Sequence, residues 1–207
     1  MEFPVAARVF VLAALSAALL GVPAARAQTT DVAGVKFDPA TTVGGSRLVL
    51  NGAGVRYKAI FKVYAAGLYL GAKESNPEAV LAATGARRIR IVMLRDIDGN
   101  ELGKLFTRGM EDNITRAQYA KLIPGIMRMS DIFSSRKKLL TGDQFSVDYV
   151  PGVGSTVLVN GTPTAEPIRE PEFFSALLSI WLGQSPADRL LKDALLGKPP
   201  AAREPSN

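Results

Sequence analysis

Arg56 and Tyr64 are the two residues of this chain whose types and spacing could do chemistry together. They lie within NGAGVRYKAIFKVYAAGLYLG, residues 51–71. That stretch is rich in β-branched and aromatic side chains, which favour strands. A hairpin turning at Ile60 pairs position 56 with position 64, and directly paired residues share one face of the sheet. A guanidinium offers a planar fork of donors, and a phenol beside it adds one more. Side by side they would clamp a carboxylate or stabilise an oxyanion. The same register places Lys58 and Lys62 on the Arg56 face nearer the tip. It places Val55, Tyr57, Phe61 and Val63 on the other. From composition alone, Arg56 also reads as a surface residue snorkelling beside its lysines. Ala59-Ile60-Phe61 carries no turn chemistry that would pin the register.

The chemistry open to this chain is narrow. It has no cysteine and no histidine among 207 residues. Thiol nucleophiles, Cys/His zinc sites and imidazole bases are therefore excluded. No cofactor is expected, because GAGVRY and GVGSTV each lack the third glycine of a dinucleotide loop, and Gly103-Lys104 is followed by Leu105 rather than Ser or Thr. No metal is expected either. DIDGNE, residues 96–101, has its glycine fourth rather than sixth and lacks the distal glutamate of a calcium loop. It reads as a solvated turn that caps the following helix. The formal net charge is +6. With no RNA or DNA motif beside it, that charge favours small anions or anionic surfaces over nucleic acid. Asn113-Ile114-Thr115 is a formal glycosylation triplet.

Residues 1–27 read as a secretory signal peptide. Arg8 precedes an apolar run from Val9 to Leu20, and Ala25-Arg26-Ala27 is a small-residue cleavage site before Gln28. The run is short for a membrane span, which needs about 20 apolar residues. The exported chain would keep 180 residues and, without Glu2, Arg8 and Arg26, a net charge of +5. It would lie outside the cytoplasm, in the periplasm of a bacterium, with no stable membrane span. Residues 28–197 are expected to form one domain, and residues 198–207 a disordered tail.

The elements follow from pattern. Val35–Phe37 suits an edge strand. Residues 46–71 read as strand, with a bend or bulge at Asn51-Gly52 and Gly54. Residues 75–85 are a helix capped by Ser75 or Asn76, with Pro77 in its first turn. In RRIRIVMLR, residues 87–95, Arg88 and Arg90 alternate with Ile89 and Ile91, so one face is wet. Leu102, Leu105, Phe106 and Met110 stand at helical spacing. Residues 116–138 are another helix, interrupted near Pro124-Gly125. Residues 143–150 and 155–161 flank PGVG as a hairpin, and Asn160-Gly161 makes another tight turn. Residues 171–183 and 185–197 are helices stopped by Gly183 and Gly197, the second with Ser185 as cap and Pro186 at its first position. This order is not the alternation of a parallel sheet. It predicts an α+β fold: an antiparallel sheet with helices against one side.

GAGVR…FKVYAAGLYL and the later FFSALLSIWLG resemble the chalcone isomerase fold family, and more narrowly its bacterial members with a signal peptide. The resemblance runs over residues 32–197 and is most specific at 52–70 and 172–183. It implies an open-faced sandwich with a ligand cleft between sheet and helices. It implies one of two functions: ring closure of a chalcone, or binding of a fatty acid whose carboxylate an Arg–Tyr pair grips. The family arginine after Gly-Val falls on Arg56. Tyr64 stands where the isomerases carry threonine, and the tyrosine of their next helix has no counterpart in GNELGKLFTRG. Asn113 matches the isomerase asparagine only with a shift of register. The hydroxyl of the late helix falls near Ser179 or Ile180. The resemblance thus favours a non-catalytic, exported binding protein for a small amphipathic carboxylate, held by Arg56, Tyr64 and Ser179. A weak isomerase using Arg56 and Tyr64 is the alternative, and a protein serving only partner contact a third.

Overall fold

Period-two patterning dictates most of the architecture. The computed structural model describes residues 28–199, so residues 1–27, expected to be a signal peptide, and residues 200–207 of the expected tail lie outside the described residues. The chain begins with β1 (Thr30–Val32) and β2 (Val35–Phe37), then β3 (Ala40–Val43), β4 (Ser46–Lys58) and β5 (Phe61–Leu70). Next come α1 (Pro77–Ala82), β6 (Arg87–Met93), β7 (Ile97–Asp98), α2 (Gly99–Glu111) and α3 (Arg116–Ser134). After them follow β8 (Lys138–Leu139), β9 (Gln144–Val150), β10 (Gly154–Val159), β11 (Thr162–Pro163), α4 (Phe173–Leu182) and α5 (Arg189–Leu195). Seven strands form one antiparallel sheet in the order β11-β10-β9-β6-β5-β4-β3. The fold is α+β, as the order of elements predicts.

Alternate residues of the central strands face the helices. Tyr64, Ala66 and Leu68 of β5, Ile89, Ile91 and Met93 of β6, and Phe145 and Val147 of β9 share one core with the apolar faces of the helices. Phe106 of α2, Phe133 of α3, Phe145 and Trp181 of α4 meet at ring-centroid distances of 5.0–5.9 Å. Each such pair adds about 0.5–1.5 kcal/mol beyond the area it buries. These rings fill the space between sheet and helices.

The opposite face is not simply wet. The sheet curls, and β3 reaches back toward β9: a Cβ on Gly44 would meet Val150 Cγ2 at 2.7 Å. A second core of Phe37, Leu48, Leu50, Ala65 and Tyr69 fills this curl. Phe37 therefore does not belong to an edge strand of the main sheet. Its strand pairs only with β1, and its ring lies on Gly67, where a Cβ would come within 2.5 Å of Phe37 Cδ1. Arg88, expected on the wet face, makes a two-pronged pair with Asp148 of β9 and donates to Thr41 Oγ1 of β3 at 2.9 Å.

Two helices differ from expectation. Pro124 does not interrupt α3, which runs unbroken from Arg116 to Ser134. Pro124 and the preceding turn at Ala120 face solvent, so water can take the carbonyl that the missing N–H leaves free. The buried face of Leu122, Gly125, Ile126 and Met129 continues across it. Helix α5 starts later than predicted, with Asp188 as its cap instead of Ser185. The Ser185 N–H donates to Asn113 Oδ1 at 2.8 Å, which holds residues 184–187 as a loop. In DIDGNE, Asp98 caps α2, while Asp96 pairs with Lys138 at 2.9 Å and accepts from the Thr141 N–H.

Candidate functional site

The bend in β4 brings α5 against the strand that carries Arg56. The pairing of β4 with β5 skips a residue between Leu50 and Gly52, a bulge that swings the strand. Glycine is required there: a Cβ on Gly52 would lie 2.0 Å from Ala194 O, and one on Gly54 2.6 Å from Ala194 Cβ. Asn51 is 2% exposed. Its amide donates to Leu195 O and Glu74 O, both at 2.8 Å, and its side-chain oxygen accepts from Glu74 N. This buried clamp fixes the end of α5. At the other end Asp188 accepts from Tyr57 N at 2.8 Å and from Leu191 N at 3.1 Å. The loop from Gln184 to Ala187 thereby becomes a wall beside Arg56.

The hairpin pairs Arg56 with Tyr64, but by a route the sequence did not disclose. The turn has two residues, Ala59 and Ile60, so Lys58 faces Phe61 and Tyr57 faces Lys62. A second bulge between Arg56 and Tyr57 then restores the pairing of 56 with 64. Lys58 and Lys62 are consequently not partners. The guanidinium carbon of Arg56 lies 5.6 Å from the Tyr64 ring centroid, within cation–π range. Arg56 Nε is buried and has no hydrogen-bond partner among the described residues.

Tyr64 is 3% exposed, and its Oη accepts from Trp181 Nε1 at 2.7 Å. That bond leaves the phenolic proton free for donation. Burial pushes the phenol up to about 12 from its ordinary 10.0, against the pull of Arg56 and the Trp181 hydrogen bond and with a small push from Asp188. Tyr64 is thus a neutral donor at any physiological pH. The cleft beside the pair has a volume of about 460 Å³. Leu102, Leu105 and Phe106 of α2 and Ile180 of α4 line its apolar side. Its lining carries three guanidiniums, those of Arg56, Arg108 and Arg189, against one carboxylate, Asp112. Arg108 Nε stands 3.9 Å from that carboxylate. Among the described residues no group of three or more acidic side chains is placed to hold a metal ion.

Residues 29–197 match the chalcone isomerase-like family. The chain belongs to it. Among solved structures, the crystal structure of an Arabidopsis thaliana fatty-acid binding protein superposes with a TM-score of 0.67 at 15% sequence identity. The match covers 82% of this chain and 96% of that one. At that identity the likeness shows the fold. A search of curated proteins finds no match.

In this chalcone isomerase-like chain the three residues singled out from sequence part company. Arg56 and Tyr64 meet at one cleft. Ser179 does not reach it: its Oγ donates to Ala176 O at 2.6 Å, and the residue lines a separate hollow with Arg87. Of the two late-helix positions, Ile180 faces Arg56. Asn113 also stays out of the Arg56 cleft. It donates to Gly109 O and Ser185 O, both at 2.9 Å, and so ties α2 to the loop before α5. Sequence reasoning did not pair Trp181 with Tyr64. That tryptophan is core, but its indole N–H also sets the direction of the Tyr64 proton. The rim arginines Arg108 and Arg189 were missed. Arg189 was hidden because α5 was expected to begin earlier.

Proposed function

We propose that this chain is an exported, non-catalytic protein that holds a small amphipathic carboxylate of the fatty-acid type in the cleft of Arg56 and Tyr64. One observation carries the proposal: two donors that find no acceptor among the described residues line one cleft. Arg56 Nε is buried and unpartnered, and the Tyr64 hydroxyl already accepts from Trp181 and so has only its proton to offer. A carboxylate satisfies both. The excess of arginine on the rim attracts the anion. Leu102, Leu105, Phe106 and Ile180 offer apolar surface to the chain, and small-molecule sites of about 300–1,000 Å³ are usual. Because aromatic rings fill the space between the layers, the tail runs along the α2–α4 groove. That the fold is shared with a protein described as fatty-acid binding supports the reading. The part on export rests on the leader pattern of residues 1–27.

Chemistry is disfavoured by the donors themselves. Ring closure needs a group that takes the substrate's phenolic proton, yet Tyr64 is already protonated and Asp112 stands beside Arg108. Incubation with a chalcone is expected to give racemic product at the uncatalysed rate. An enantiopure flavanone would overturn the non-catalytic reading. Calorimetric titration with laurate tests the clamp. A hydrogen bond to a charged group contributes about 1.5–3 kcal/mol, so Arg56→Ala should weaken binding by about 10- to 150-fold. Equal affinities in the two proteins would sink it. Mass spectrometry of protein recovered from the envelope of its host should show a chain beginning at Gln28. An intact Met1 would refute cleavage.

A further inference from the structure

A second hollow, also about 460 Å³, opens beside the other half of α4, among the residues after α1, the start of α3 and Pro171 to Ser179. Arg87 lines it and is only 2% exposed. Two rings cover its guanidinium, with the Tyr149 and Phe174 centroids 5.0 and 4.9 Å from Cζ. Nη1 donates to Val80 O at 3.1 Å and reaches Ser175 Oγ at 3.5 Å. Nε is buried and has no partner among the described residues. Among the described residues Nη2 makes no hydrogen bond, and the group forms no ion pair. Burial pulls this arginine down to about 10, with Tyr149 opposing, so it stays cationic at neutral pH.

Buried charges are normally paired, because an uncompensated one is strongly destabilising. The two rings offset part of that penalty. Their centroids stand 5.8 Å apart, so they crowd one side of the guanidinium, and Nη2 stays without a partner among the described residues, a donor that a carboxylate can take. The surroundings suit such a ligand. The N-terminus of α4 adjoins the hollow, and Glu172 at its cap makes no side-chain capping bond. Helix N-termini favour anions. Ile114, Leu122 and Ala176 give apolar contact, and Gln118 adds an amide group. Glu172 is the one carboxylate of the lining, and it is exposed.

The geometry points to a second binding site here: a small organic carboxylate with an apolar body, held through Nη2 of the unpaired Arg87 guanidinium. It is independent of the Arg56 cleft, since the two linings share no residue.

The test uses octanoate and ¹⁵N-labelled Arg56→Ala protein, in which the first anchor is gone. Octanoate should produce saturable shifts at the backbone amides of Ile114 and Ser175 and at the Arg87 Nε–H. Ala83→Trp fills the rim of the hollow, and Arg87→Met removes the charge. Each, added to Arg56→Ala, should weaken the Ile114 and Ser175 shifts at least tenfold. Resonances that do not move, or that saturate equally in both variants, would overturn the proposal. If Arg87→Met does not fold, Ala83→Trp decides. Failure of the Arg56 reading shows elsewhere: shifts at Arg108 and Ile180 that persist in Arg56→Ala.

Discussion

Tyr64 joins the stability of this protein to the binding proposed for it. Its oxygen is the acceptor for the buried Trp181 Nε1. Tyr64→Phe orphans that donor, and a buried unsatisfied group costs about 1–3 kcal/mol, which urea unfolding will read. The pH dependence has a defined sign. The unfolded phenol ionises near 10.0, but burial holds the folded one at about 12. The contribution is intact below pH 10 and is lost as pH rises from 10 to 12, because only the unfolded state gains by ionising there. In Tyr64→Phe this part of the alkaline fall should vanish. If the two proteins lose stability in parallel over that window, Tyr64 is not the group responsible. At this scale the pair Arg56–Tyr64 was legible from strand spacing, whereas its surroundings were not. A two-residue turn and a bulge together return the same partners as a wider turn, and nothing in Tyr57 or Val63 announces a bulge. Arg87 was overlooked although it shares parity with Ile89 and Ile91, which placed it on the core side of β6.

Elements obey their local rules until a tertiary contact outweighs them. Helix α3 tolerates Pro124 because the affected turn faces water while the buried stripe continues. The helix already has its final geometry, so Pro124→Ala should restore one backbone hydrogen bond and raise stability. A proline in a helix interior is about 3 kcal/mol worse than alanine, and part of the gain is offset by the more flexible unfolded chain, leaving about 1–2 kcal/mol. A lower melting temperature would refute this account. The glycines of β4 work in the opposite direction. Their placement in NGAG read correctly as a bend, but their second purpose, to admit α5, depends on residues about 140 positions away and has no local signature. Gly52→Ala drives a methyl group into Ala194 O and should cost about 1–3 kcal/mol as overpacking. It should also speed hydrogen exchange at Leu191 and Leu195 and weaken ligand binding, since α5 and its leading loop wall the Arg56 cleft. Unchanged exchange would mean that α5 is not held by this contact.

At the scale of the molecule, the sheet separates two cores that serve different ends. The helix-side core positions Tyr64 and Trp181, and so the cleft. The outer core closes the curl of the sheet over Phe37, with the Arg88–Asp148 pair tying β6 to β9 beside it. The α+β class was legible because strand and helix periods alternate in a distinctive order. The curl was not, because it depends on Gly44 meeting Val150 and Phe37 meeting Gly67 across long separations. The separation makes a prediction. Phe37 is fully buried, and truncating such a phenylalanine costs about 3–5 kcal/mol. Yet Phe37 lies on the face away from Arg56 and belongs to the other core. Phe37→Ala should therefore lower the unfolding free energy sharply while leaving laurate affinity, measured where the protein is still folded, within about twofold of wild type, since distant sites add independently. Loss of both in proportion would mean that the sheet transmits strain between its faces and that the cleft depends on the curl as well as on the helices.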